Sequence, residues 1–154
     1  MVVWTFGFAE PMQHRIRGIR QALNEYGIEE HPDMFMTSDD PTFDMGIIAG
    51  KCIAELSPRP TAIFALTDVT AVGILHGLSQ MGLSVPDDMS VMGYDGIPLS
   101  GYVMPTLTTV AQPIEEMGKQ AVKILLKHIQ NSDLAADKAV LPNELIIRES
   151  TAPL

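Results

Sequence analysis

The chain has 154 residues, of which 46% are hydrophobic and 19% are charged, and its formal net charge is −9. The length fits one globular domain with a single core. The acidic charge and the lack of a basic run argue against direct binding to nucleic acid, because such binding needs cations that displace counterions from phosphates.

The first half of the chain alternates predicted strands with predicted helices. A short apolar run at 2–6 predicts a buried strand, and a weaker strand is predicted at 33–37. The intervening helix carries apolar residues at helical spacing, namely Ile16, Ile19, Leu23 and Tyr26. Asp40 and Pro41 predict the N-cap and first turn of a second helix.

Two further strands repeat this rhythm. The run 61–66 predicts a strand that leads into a helix over 68–81, and 89–94 predicts a fourth strand. Strand and helix thus alternate four times with short connections. The sequence therefore predicts an α/β fold, a parallel sheet covered by helices on both faces.

The last third of the chain departs from this alternation. Leu107 to Val110 predicts a strand, and a helix over 113–128 follows Gln112. A polar turn is predicted at 131–138 and a final strand at 139–147.

Polar residues follow the predicted strands where ligands bind in an open parallel sheet, outside the carboxyl ends of the strands. Arg15, Thr67, Asp68 and Asp95 are the candidates. An aspartate just before a helix is commonly an N-cap, and this alternative stands for Asp40 and Asp68. No clear helix follows Asp95, so a ligand role is favoured there.

Arginine and carboxylates at one edge suit a polyhydroxylated ligand such as a sugar or a nucleoside. Carboxylates accept hydrogen bonds from adjacent hydroxyls, and the guanidinium donates in a fixed fork. The four histidines are scattered without metal spacing, and no nucleophile elbow or phosphate-binding loop is present. We therefore expect no catalysis, no cofactor and no metal.

Several segments together resemble one known family. They are Arg15-Ile16-Arg17-Gly18-Ile19, Pro60-Thr61-Ala62-Ile63-Phe64-Ala65 with Asp68, Gly82-Leu83-Ser84-Val85-Pro86-Asp87-Asp88, Gly93-Tyr94-Asp95, Pro105-Thr106-Leu107-Thr108-Thr109-Val110 and Arg148-Glu149-Ser150-Thr151. In this order they resemble the effector-binding domain of LacI/GalR transcription regulators, whose fold is of the periplasmic-binding-protein type I. The resemblance covers nearly the whole chain.

The resemblance implies how the chain is divided. A family subunit carries a helix-turn-helix and two similar subdomains that bind a small effector between them, and this chain resembles the second half. By that resemblance, 1–111 is the core of the C-terminal subdomain. The segment 112–138 is a crossover helix that packs on the missing first subdomain, and 139–154 is a returning strand and tail. DNA would be bound only through modules that this chain lacks.

The resemblance also assigns roles to residues. Arg15, Asp95 and Gln112 match effector-contacting positions. The family's usual Asn-Asp after the third strand is Thr67-Asp68 here, and its usual aromatic residue before the second helix falls at Pro41. Two other rings could replace that stacking surface, Phe43 and Phe8.

A truncated domain would leave apolar surface without a partner. The apolar stripe of helix 113–128 is expected to dock on its own sheet or, preferably, to be exchanged between two protomers. The helix 68–81 and the segment 97–104 resemble the family's dimer surface. Its candidate residues are Val69, Ile74 and Leu78, whose alternative role is packing on their own sheet.

The location and the competing functions follow from smaller features. The N-terminus lacks a secretory signal, no apolar run is long enough for a membrane, and the lone Cys52 is expected to be buried, so a soluble cytoplasmic protein is predicted. One alternative is a fragment of a periplasmic sugar-binding protein from a transport system. A weaker one is a small hydrolase that uses His14 or Asp95.

Overall fold

The structure is a computed structural model, and it describes residues 1–6, 10–38, 40–130 and 138–153. In that part of the chain, six strands form one sheet. They are β1 (Val2–Phe6), β2 (Phe35–Ser38), β3 (Ala62–Ala65), β4 (Ser90–Asp95), β5 (Thr108–Ala111) and β6 (Glu144–Ile146). The α-helices are α1 (Glu10–Glu25), α2 (Phe43–Ala54), α3 (Asp68–Gln80) and α4 (Ile114–Gln130).

The strand order is β2-β1-β3-β4-β5-β6. All neighbouring pairs are parallel except β5 and β6, which are antiparallel. The predicted α/β class is confirmed. Because parallel strands end at the same edge, the loops after β1 to β4 meet along one edge of the sheet.

Alternating residues of the strands point to two separate cores. On one face, Trp4, Ile63 and Val91 pack with buried residues of α2 and α3. On the other face, Val3 and Leu66 pack with Met12, Ile19 and Leu23 of α1. We call these the α2/α3 face and the α1 face, and they confirm the predicted helices on both sides of the sheet.

Glycines hold α2 and α3 unusually close together. They are Gly46 and Gly50 on α2 and Gly73 and Gly77 on α3. A Cβ atom on Gly50 would lie 2.6 Å from the carbonyl oxygen of Ile74, and one on Gly73 would overlap the carbonyl oxygen of Phe43. The two helix backbones are therefore in direct contact.

Two predictions about α2 are wrong. Thr42, not Asp40, caps the helix, with its side chain accepting a hydrogen bond from the backbone N–H of Met45. Cys52 is exposed, not buried, because the buried side of α2 is formed by Gly46, Ala49, Gly50, Ile53 and Ala54. The proline and aspartate lie before the first helical turn.

The bounds of the final strand and of β2 also differ from the prediction. The final strand covers only Glu144–Ile146, because only these residues pair with β5. A 3₁₀ turn at Pro32–Met34 shifts β2 toward its C-terminal end. The predicted turn at 131–138 lies almost wholly outside the described residues.

Within the described residues, no helix combines the length and apolar character that a bilayer span requires.

Candidate functional site

Arg15, Asp95 and Gln112 come together at the carboxyl edge of the sheet. The Arg15 Nη2 atom lies 3.4 Å from Asp95 Oδ1, and Gln112 Nε2 donates to the same oxygen at 2.8 Å. Residues that are 80 positions apart in sequence thus share one small site, as the strand-end pattern predicts. Their binding of a ligand stays a prediction.

Arg15 is held in place from three sides. Its Nη1 atom donates to the carbonyl oxygen of Leu66 at 2.5 Å, next to the end of β3. Its guanidinium lies over the ring of Tyr94, 3.7 Å from the centroid, which is a cation–π contact. Only 14% of the side chain is exposed. An arginine fixed in this way loses little rotamer freedom when it donates to a ligand.

Asp95 has a strained backbone. Its φ angle is 126°, and among the described non-glycine residues no other has a positive φ. Gly96 follows with φ 76°, a value that glycine adopts easily. A non-glycine residue in such a conformation costs about 1–3 kcal/mol and persists only where the surroundings impose it.

The buried carboxylate of Asp68 holds the turn after Asp95 in place. Its Oδ2 atom accepts hydrogen bonds from the backbone N–H groups of Gly96 and Ile97 at 2.8 and 2.9 Å, and its Oδ1 atom accepts one from the Thr109 hydroxyl at 2.6 Å. The carboxylate fits because Gly93 has no side chain to occupy its place.

Asp68 and Thr67 both have structural roles at the start of α3. Asp68 is fully buried and both of its oxygens accept hydrogen bonds from the protein, so it positions the Asp95 turn, and a ligand contact of Asp68 or Thr67 stays a prediction. Asp68 is not the N-cap of α3. That role belongs to Thr67, whose hydroxyl accepts from the N–H of Thr70 and donates to the Thr70 hydroxyl at 2.9 Å.

The pKa of Asp95 is raised above its ordinary value. Burial is the main cause, because it disfavours the charged form, and the nearby Asp68 carboxylate adds to the shift. Arg15 and the hydrogen bond from Gln112 act in the opposite direction and do not fully compensate. The carboxylate is therefore kept in a place where its charge is poorly solvated.

A cleft of about 720 Å³ opens beside this site. It is lined by Arg15, Gln112 and Tyr94, by one side of α1, and by Asn143, whose Nδ2 atom donates to the Tyr94 hydroxyl at 2.7 Å. Sequence reasoning missed Tyr94 and Asn143. The position of Tyr94, directly before Asp95 in a strand, was the available signal.

The two rings proposed as a stacking surface do not meet the site in the described structure. Phe43 lies over α3, where its ring centroid is 6.0 Å from that of His76. Phe8 lies outside the described residues. Tyr94 is therefore the aromatic ring that contacts the Arg15 guanidinium.

Of the three residues predicted for a dimer contact, two are buried in the fold and one is exposed. Ile74 and Leu78 are fully buried in the core of the α2/α3 face, so no surface of theirs is left for a partner. Val69 is 39% exposed, so its role in a dimer contact stays a prediction. The apolar stripe of α3 covers its own sheet first.

Helix α4 has no buried residue. Ile124 is half-buried beside Ala139 to Leu141, and the other apolar side chains of the helix are exposed. In the described structure the helix therefore does not dock on its own sheet, which corrects that alternative. Exchange between protomers stays a prediction. Among the described residues, no three histidine, cysteine or acidic side chains are grouped so that they could hold a metal ion.

An open parallel sheet with an arginine–carboxylate pair at its carboxyl edge defines a class of ligand-binding α/β proteins. A family model, the periplasmic binding protein-like domain, matches residues 2–151. The chain therefore belongs to that family, and it corresponds to the C-terminal half of the effector-binding domain of LacI-type regulators.

Curated relatives and a solved structure give the extent of this similarity. The chain is 39% identical over 145 residues to the HTH-type transcriptional repressor CytR of Escherichia coli (strain K12), covering 94% of this chain and 42% of that protein. It is 36% identical over 144 residues to catabolite control protein A of Priestia megaterium, covering 92% of this chain and 43% of that protein. The chain thus spans about two-fifths of the length of these relatives.

A LacI family transcriptional regulator from Enterococcus faecium, crystallised with bound ribose, superposes with a TM-score of 0.88. The sequence identity is 33%, and the match covers 99% of this chain and 56% of that chain.

Proposed function

We propose that this chain binds a small polyhydroxylated effector, of the sugar class, at Arg15, Asp95 and Gln112. We further propose that it serves as the effector-binding half of a LacI-type transcription regulator in the bacterial cytoplasm. DNA would be contacted only by modules that this chain does not contain. In that arrangement the protein is not an enzyme, and effector binding shifts the balance between two subdomain arrangements.

The observation that carries this proposal is that Asp95 is unfavourable for the fold. Its φ angle is positive, and burial raises the pKa of its carboxyl group. Both features oppose folding. Two further residues are needed to form the turn: Asp68 accepts its backbone hydrogen bonds, and Gly93 leaves room for the Asp68 carboxylate. Strain of this kind concentrates at binding sites, where it fixes a side chain in the geometry that a ligand needs.

The arrangement suits a ligand with adjacent hydroxyl groups. Asp95 Oδ2 has no protein donor among the described residues, so it is left to accept from a hydroxyl, while Arg15 and Gln112 can donate to ring or hydroxyl oxygens. The bound ribose of the Enterococcus faecium relative supports a sugar.

We also propose the division of the chain that the family resemblance suggests. Residues 1–111 would form the subdomain core, 112–138 would pack on a first subdomain, and 139–154 would return to the core. One wall of the cleft is then supplied from outside this chain, and we expect the isolated chain to bind a sugar weakly. Homodimer formation would use Val69 with the exposed side chains of the neighbouring turn, Leu99, Tyr102 and Met104.

An NMR titration tests the site, because it detects weak binding residue by residue. With ribose as the probe, we expect saturable shifts of the Arg15 and Gln112 side-chain N–H signals. Asp95→Asn should weaken binding by roughly tenfold or more, since a hydrogen bond to a charged group contributes about 1.5–3 kcal/mol. The matched control is Asp44→Asn on the exposed side of α2. An unchanged affinity in Asp95→Asn would remove Asp95 from the site.

A further inference from the structure

The chain exposes more surface than a compact protein of its size. Its accessible surface is 9563 Å², whereas a compact monomer of 16.8 kDa is expected to expose about 7,700 Å². The excess is therefore about 1,900 Å². Within the part of the chain that the structure describes, two apolar surfaces are incompletely covered, helix α4 and the half of the α1 face over β3 to β6.

Helix α4 exposes most of its apolar side chains, and only Ile124 among them is half-buried. Leu125 is 59% exposed and Ile129 is 70% exposed, and the other exposed apolar side chains are Ile114, Met117, Val122 and Leu126. A helix of 17 residues is marginally stable in water by itself, and its stability in proteins comes mostly from packing one face. This helix therefore needs a surface to pack on.

The second surface is the part of the α1 face over β3 to β6. Cross-strand partners share a face of a sheet, and Tyr94 pairs with Val110, which pairs with Leu145. Phe64 pairs with Met92 in the adjacent row. Helix α1 covers the sheet beside these rows, and Leu145 remains 55% exposed.

Between α1 and these strands runs the apolar cleft described above. Its α1 wall includes Gly18 and Ala22, which are exposed and small, so a second helix can approach α1 at the short end of the usual 8–10 Å axis separation. Its floor is formed by Phe64, Tyr94 and Val110. We call this feature, from Pro11 to Ala22 on α1 and across β3 to β5, the α1 groove.

We propose that α4 of a second copy of this chain packs in the α1 groove, and that the exchange is reciprocal. This inference rests on the proposed exchange of α4 and names its acceptor. A 17-residue helix is about 25 Å long, which is enough to follow the α1 wall over Pro11 to Ala22. The same two surfaces meet twice in a two-fold dimer, so the assembly closes and leaves neither surface uncovered.

The area agrees with a dimer. If each copy buries its excess of about 1,900 Å², the interface totals about 3,800 Å², within the range of permanent, intertwined dimers. The net charge of −9 on each copy opposes association through mutual repulsion. Added salt screens that repulsion, so the dimer should become tighter as the ionic strength rises.

Disulfide trapping tests the contact directly. In a Cys52→Ser background, Ala22→Cys on a tagged chain is mixed with Leu125→Cys on an untagged chain, refolded together and oxidised. The control mixture replaces Ala22→Cys with Lys51→Cys, an exposed position on α2 at the opposite face. We expect at least about tenfold more tagged–untagged disulfide from the Ala22 mixture, because only that pair is held close.

A second variant separates the possible failures. Leu125→Glu places a charge on the exposed side of α4 and should reduce the mass measured by light scattering. At a protein concentration low enough that both chains are monomeric, its urea midpoint should equal that of the wild type. A wild type that is monomeric overturns both the exchange and its acceptor. A reduced mass with trapping no better than the control overturns the α1 groove alone. Because the α1 groove shares Arg15, Tyr94 and Gln112 with the sugar site, the ribose titration is repeated on Leu125→Glu, in which the groove is open. Absence of ribose-induced shifts in that variant would overturn the proposed function and leave this contact standing.

Discussion

The α2/α3 face and helix α4 illustrate two ways in which an apolar helix can be stabilised. On the α2/α3 face, Ile53, Ile74 and Leu78 are fully buried, and the helix backbones touch through glycines. On α4, no residue is buried although its apolar residues recur at the same helical spacing. The comparison teaches that helical periodicity identifies a face to be buried and says nothing about which molecule buries it.

Replacing one leucine on α3 and one on α4 gives the largest expected difference in the free energy of unfolding. Leu78→Ala should lower the free energy of unfolding by about 3 kcal/mol or more, because it leaves a cavity in a closed core. Leu125→Ala should change the unfolding free energy of the monomer by less than about 0.5 kcal/mol. Urea denaturation at low protein concentration measures both. Equal losses would mean that α4 is packed within its own chain.

Glycine replacements give a smaller contrast of opposite sign. Gly73→Ala should destabilise the protein by about 2 kcal/mol, because the new Cβ atom meets the backbone of Phe43, which cannot move aside. Gly118→Ala on α4 meets no atom within 4 Å, and alanine favours helix by about 1 kcal/mol over glycine. Thermal unfolding should therefore shift in opposite directions for the two variants. A shift in the same direction would contradict the assigned packing.

The smallest expected effect concerns Asp95. Because burial raises the pKa of Asp95 in the folded state, its charged form opposes folding above that pKa, and this penalty disappears as the pH falls toward 3.8. Asp95→Asn should thus stabilise the fold at pH 7 by about 0.5 kcal/mol, since asparagine also tolerates a positive φ. Urea midpoints at pH 7 and pH 4 measure this gain, which should shrink at pH 4.

The opposite result is also informative. If Asp95→Asn destabilises the protein at pH 7, then the contacts of Asp95 with Arg15 and Gln112 outweigh the effect of burial. The strain at this residue would then support the fold, and the argument for a ligand role would lose its main observation.

Much of the site could be predicted from sequence because it depends on topology. Parallel strands end at one edge, and this rule alone brings Arg15 and Asp95 together. The role of Asp68 could not be read in the same way. Its place below the site depends on the missing side chain of Gly93 and on the Thr109 hydroxyl, both of which lie far from it in sequence.

Predictions about single helix faces were less successful for a related reason. Cys52, Ile74 and Leu78 all lie in apolar stretches, and a stretch that is apolar on several sides does not show which side meets the sheet. The glycines of α2 and α3 decide this, because the helices touch where Gly46, Gly50, Gly73 and Gly77 lie.

Hydrogen–deuterium exchange on the unmodified chain, measured against protein concentration, tests the contrast between the two regions most directly. We predict that α3 amides are protected at every concentration, whereas α4 amides become protected only as the dimer forms. Protection of α4 equal to that of α3 at the lowest concentration, where the chain is monomeric, would contradict this account.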